Sequence, residues 1–108
     1  MDEREFMAAA DAELERIETA LDAAAASGVA DFDFETKPGG VIEIEFDNGS
    51  KIILNRHLAA REIWLAAKSG GYHFRPEGDR WLGTRDGEEL MAALSRTMTE
   101  QAGARVAL

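Results

Sequence analysis

Cysteine is absent from this chain of 108 residues. That absence removes disulfides, thiolate nucleophiles, zinc knuckles and cysteine-ligated iron–sulfur clusters from consideration. Basic residues are scarce, with 12 Lys and Arg against 21 Asp and Glu, a formal charge of −9. Nucleic-acid binding needs clustered cations to neutralise phosphates and is disfavoured; so is docking on an anionic membrane surface. No run of 18 apolar residues occurs, and Met1-Asp2-Glu3-Arg4-Glu5 is no basic segment leading into an apolar one. The expectation is a soluble intracellular protein, most simply cytoplasmic, with neither nucleic acid nor membrane among its partners. What is present, 45% apolar and 31% charged residues, suits one globular domain over residues 1–108.

The negative charge is concentrated. Residues 1–35 hold eleven acids and two bases, Arg4 and Arg16, whereas residues 36–108 hold ten of each. A field that one-sided attracts cations or basic protein surfaces; its plain alternative is solubility.

The first segment reads as an amphipathic helix from Asp2 to Ala26. Phe6, Ala10, Leu14, Ile17, Leu21 and Ala24 recur at spacings of three and four, and Ser27-Gly28 supplies a stop. At about 100° per residue, Asp11, Glu15, Glu18 and Asp22 form a carboxylate row beside that stripe. Like charges so placed cost an isolated helix about 0.2–0.5 kcal/mol per pair, so the row points to a purpose outside the helix. Asp31-Phe32-Asp33-Phe34-Glu35 then alternates strictly, a strand with Phe32 and Phe34 directed to the core and the acids outward. Val41 to Phe46 alternates in the same way. Asp47-Asn48-Gly49-Ser50 marks a hairpin, and Lys51 to Arg56 is its return strand. Further strands are expected at Ile63–Ala67, Tyr72–Arg75 and Arg80–Thr84, with Gly70-Gly71 as a turn. A second helix carries Leu90, Leu94, Thr97, Met98 and Gln101 on one face, with Asp86 as its N-cap, Glu89 completing a capping box and Gly103 ending it. The order is helix, five or six antiparallel strands, helix. It implies an α+β two-layer sandwich with both terminal helices on one face of the sheet.

Carboxylate-only surfaces suit hard cations, among them iron, manganese, calcium and magnesium. A row of exposed acids without supporting groups predicts weak, multi-site binding. The same surface reads equally as a docking site for a basic protein, with salt-sensitive association. Trp64 shares its strand face with Glu62 and Ala66, opposite Ile63 and Leu65; on an open sheet face it would anchor an interface. The alternative is an indole packed beneath neighbouring side chains. Asn55 falls on the same face, His57 two residues on can join it, and Trp81 is expected in the core. His57 and His73, each alone on a strand, read as structural or surface residues. No phosphate loop and no Ser/His/Asp grouping is present.

Taken in order, Gly39-Gly40-Val41, the stretch from Phe46 to Arg56, Ile63-Trp64-Leu65-Ala66 and Lys68 to Phe74 resemble the frataxin family in its bacterial form. Gly78-Asp79-Arg80-Trp81, Asp86-Gly87-Glu88 and Gln101-Ala102-Gly103 extend the resemblance over essentially the whole chain. It implies an iron-binding protein of iron–sulfur cluster assembly that docks on the cysteine desulfurase and its scaffold protein and regulates them. The implied metal residues are Asp11, Glu15, Glu18, Asp22, Asp31, Asp33 and Glu35, holding ferrous or ferric iron weakly, with other divalent cations as competitors. Glu18, Asp22, Asn55 and Trp64 are the expected partner contacts. A monomer is expected, with iron-dependent oligomers as the alternative. Several positions depart from the family. Met7 stands where a bacterial homologue can carry histidine, Thr19 replaces a common acid, and Ala23 to Ala26 occupy a stretch often rich in Asp and Glu. The family's Asn-x-Gln-x-Pro-x-x-Gln-x-Trp segment is present from Asn55 to Trp64 without either glutamine or the proline.

Two other readings belong to different classes. One is an acidic interaction adaptor in which metal is incidental and docking is indifferent to ferrous iron. The other is an iron chaperone with ferroxidase activity. Ferroxidase centres usually place Glu-x-x-His in a helical bundle, a spacing this chain lacks, so no enzyme beyond a weak ferroxidase is expected.

Overall fold

The computed structural model describes all residues from Met1 to Leu108. Helix α1 (Glu3–Ser27) is followed by six strands, β1 (Phe32–Lys37), β2 (Val41–Phe46), β3 (Lys51–His57), β4 (Glu62–Ala67), β5 (Gly70–Glu77) and β6 (Arg80–Gly83), and then by helix α2 (Leu90–Ala102). The strands form one antiparallel sheet in the order β1-β2-β3-β4-β5-β6, each paired with its sequence neighbour. Short turns between alternating strands leave no other economical order.

Alternation assigns the faces. Ile42, Ile44, Phe46, Ile52, Leu54, Ile63, Leu65, Phe74 and Trp81 point to the side covered by the helices and are buried. Phe6, Ala10, Leu14, Ile17 and Leu21 of α1 meet them together with Leu90, Ala93, Leu94 and Met98 of α2. Trp81 sits in this core, its ring 6.0 Å from Phe6 and edge-on to it. Phe32 and Phe34 face the core as expected but are half-buried, because β1 is the outermost strand. Past α2 the chain turns back. Val106 buries its side chain in the core, and its backbone N–H donates to Thr99 Oγ1 at 3.0 Å.

The helix ends differ from expectation. A capping box opens α1, where Asp2 accepts from the Glu5 N–H at 2.8 Å and Glu5 accepts from the Asp2 N–H at 3.2 Å. At α2 the expected box does not form. Asp86 Oδ1 accepts from the Glu88 N–H at 3.0 Å in a local turn, Gly87 takes φ 76°, and the N-cap is Glu89 with no side-chain cap. A left-handed residue one step after Asp86 prevents helical winding there, and the helix starts three residues late. The turn after β4 similarly falls at Lys68-Ser69, and Gly70 already belongs to β5.

The far end of α2 is tied to two turns by Gln101. Its Nε2 donates to Ser50 Oγ and to the Lys51 carbonyl, both at 3.1 Å, and its Oε1 accepts from the Lys68 N–H at 2.9 Å. Asn48 donates back to the Gln101 carbonyl at 2.8 Å. This accounts for a polar residue buried on the helix face.

Carboxylate ridge and sheet face as candidate sites

The row on α1 forms as the helical period requires. Asp11, Glu15, Glu18 and Asp22 line one wall of an open groove of about 430 Å³, and Thr36, Lys37 and Gly40 at the β1–β2 turn line the other. Asp11 is not free within it. The Arg56 guanidinium reaches over from β3 and pairs with Asp11 Oδ1, crossing Gly40 so closely that a Cβ there would lie 2.7 Å from Arg56 Cγ. Gly40 also takes φ 76°, so both backbone conformation and space require glycine.

Asp33 and Glu35 lie on the other side of β1, on the sheet face that carries no helix, since Phe32 and Phe34 take the core side. They stand opposite Glu45 and Glu43 of β2. Alternation directs Glu43 and Glu45 outward but does not pair them with these acids, because register cannot be read from alternation alone. Lys37 and Lys51 both bind Glu43. Their hydrogen bonds, Lys37 first, hold its carboxyl down at about 2. Glu35 lies 3.6 Å from Lys37. Asp31, Asp33, Glu45 and Asp47 border a further shallow groove. Thus two of the seven expected metal residues, Asp11 and Glu35, have cationic partners, whereas Glu15, Glu18, Asp22, Asp31 and Asp33 have none. The acids fall into two groups divided by β1, and no three carboxylate or imidazole groups are gathered into a ready-made ligand set.

Trp64 lies on the helix-free face at the centre of the sheet, paired with Asn55 on β3 and His73 on β5. Its indole is stacked between two imidazoles. The His57 ring is 3.8 Å away at 11°, and the His73 ring is 4.4 Å away at 10°. Both readings of this residue therefore hold in part: it is on the open face, half-buried, and flanked by neighbouring side chains. Beneath the stack, Glu62 accepts from Trp64 Nε1 at 2.7 Å and from Arg75 Nε at 2.9 Å. Burial alone would push the Glu62 carboxyl up, but the Trp64 and Arg75 bonds together outweigh it and leave it below its usual range. His57 and His73 were legible only as isolated histidines, because the contacts that unite them with Trp64 run between strands.

Comparison with known proteins gives a consistent result. The family model described as a frataxin-like domain matches residues 1–104. The iron-sulfur cluster assembly protein CyaY of Cupriavidus taiwanensis is 52% identical over 104 residues, covering 96% of this chain and 93% of that protein. CyaY of Dechloromonas aromatica is 53% identical over 108 residues, covering 100% and 99%. Among solved structures, frataxin from Psychromonas ingrahamii superposes with a TM-score of 0.86 at 28% identity, over 99% of this chain and 97% of that one. Trimeric frataxin from Saccharomyces cerevisiae, complexed with ferrous iron, shares the fold at a TM-score of 0.75 and 23% identity, covering 88% and 86%.

Proposed function

This chain belongs to the frataxin-like family, and on that premise we propose that it is an iron-binding, cytoplasmic protein of iron–sulfur cluster assembly, one that regulates the cysteine desulfurase and its scaffold protein by docking on them. Full-length relatives at about half identity bear the name of that assembly role. The observation that carries the reading is the unpaired set Glu15, Glu18 and Asp22 along one wall of the α1 groove. Carboxylate oxygens fit a hard cation such as ferrous iron. With no ligand set gathered in advance, binding is weak, multi-site and open to other divalent ions. Asp31, Asp33 and Glu35 extend the attraction across β1, and Asp11 joins only when Arg56 releases it.

Glu18 and Asp22 would serve twice, as metal ligands and as contacts for a basic partner, while Asn55 and Trp64 offer a second contact on the open face. Iron and partner would then compete for the same oxygens, a direct route to iron-dependent regulation. The test is an anaerobic titration of ferrous iron followed by amide NMR, with docking measured alongside. Broadening is expected along residues 11–22 and 31–35. The double variant Glu18→Gln/Asp22→Asn should weaken both iron binding and docking by about tenfold, an effect equivalent to about 1.4 kcal/mol. Docking at full affinity in that variant would end the shared-surface mechanism. The Arg56 bond to Asp11 favours a second reading, the adaptor with incidental metal. It predicts docking unchanged by ferrous iron.

A further inference from the structure

Glu62 is buried on a face of the sheet that no helix covers, with 6% of its surface exposed. A carboxylate so placed carries a desolvation cost unless its oxygens are engaged. Here both are: Oε1 takes the Trp64 indole N–H at 2.7 Å and Oε2 takes Arg75 at 2.9 Å. His73 Nδ1 stands 3.5 Å from Oε1. The stack above is held from its other end as well, because the Ala60 backbone N–H donates to His57 Nδ1 at 3.3 Å. The indole therefore has a ring against each face and a fixed acceptor at its nitrogen.

We propose that Glu62 is a positioning residue: it holds Trp64 flat between His57 and His73, so that a docking partner meets a ring already in its bound orientation. This rests on the reading that Trp64 contacts the assembly machinery, and it adds what that reading lacks, a reason for the ring to be rigid. An aromatic anchor fixed in advance loses less freedom on association than one that must be ordered by its partner. The hydrogen bond to the indole nitrogen comes from along its own strand. Glu62 and Trp64 are two residues apart on one face of β4, so the carboxylate reaches the indole nitrogen without a change of backbone. Arg75 secures the carboxylate while remaining largely exposed, so loss of Glu62 leaves that guanidinium in water rather than stranded inside the protein.

The experiment uses the full chain with 15N-labelled tryptophan side chains, and the scaffold protein and cysteine desulfurase of the same organism as binding probes. In the native protein, the Trp64 Nε1–H should exchange with solvent at least tenfold more slowly than a free indole, as expected for a bonded donor. Free exchange in the native protein overturns the proposal without any variant. Glu62→Leu should release that proton and weaken docking by about tenfold, while Glu62→Gln, whose amide oxygen can still accept, should retain both properties. The Trp81 indole, buried in the core, reports whether each variant is folded. Trp64→Ala separates the two levels. If it weakens docking but Glu62→Leu does not, positioning is wrong and the sheet-face reading stands. If Trp64→Ala docks like the native protein, the sheet-face reading is wrong, and the docking role of Glu62 falls with it.

Discussion

Glu13 is a carboxylate in the wrong surroundings. It lies on the buried side of α1 at 5% exposure, and its Oε1 accepts no hydrogen bond, although Arg16 stands 3.2 Å away. Burial pushes its carboxyl above the ordinary value of 4.5; Arg16 works against that and Glu89 adds to it. A raised folded-state value means a contribution that is fully present below 4.5 and lost as pH rises through the folded value. Glu13→Met should therefore raise stability at pH 8 by about 1 kcal/mol, the lower end for an unsatisfied buried group. The gain should shrink towards pH 4, and urea unfolding at the two pH values measures it. Glu62 runs the other way. Its lowered value gives stability that is present above 4.5 and lost on acidification. In the sequence the two look alike. Glu13 borders the apolar stripe on the side away from the acid row, and only packing reveals that it is buried.

The elements themselves were largely legible, because strict alternation and three-four spacing leave little choice of type. Where the reading failed, one residue's backbone conformation overruled a side-chain pattern. Asp86 and Glu89 have the spacing of a capping box, but Gly87 in the left-handed region turns the chain away. Helix α2 is consequently left with an N-cap that caps nothing. Glu89→Ser should supply the missing acceptor and stabilise the protein by about 1 kcal/mol. The exposed Arg80–Glu89 pair lost in the exchange is worth less. A rise in Tm of about 4–8 °C in calorimetry would confirm the gain. The site was legible as a row on one helix and an alternation on one strand. Its partition was not: the Arg56 bond to Asp11 spans 45 residues, and the facing of Asp33 by Glu45 depends on register.

Across the whole molecule the net charge of −9 originates in residues 1–35, and those residues end up on α1 and the adjacent sheet edge. Attraction of a basic partner to such a pole acts before contact and is screened over about 8 Å at physiological salt. On the docking proposed above, the association rate with the desulfurase should thus fall steeply as sodium chloride is raised, while dissociation changes little. Stopped-flow measurements from 25 to 400 mM, roughly spanning the screened and unscreened regimes, would show it. The core has a different geography. Its two helices come from opposite ends of the sequence, and Val106 closes it from beyond the second of them. During synthesis the strands can pair as they are made, each with its predecessor, but α1 must wait with part of its apolar stripe uncovered. A nascent chain halted before residue 90 is a ribbon with an open seam, the kind of surface chaperones recognise. The acidic pole, complete by residue 35, is presented to the cell long before the body that is meant to carry it.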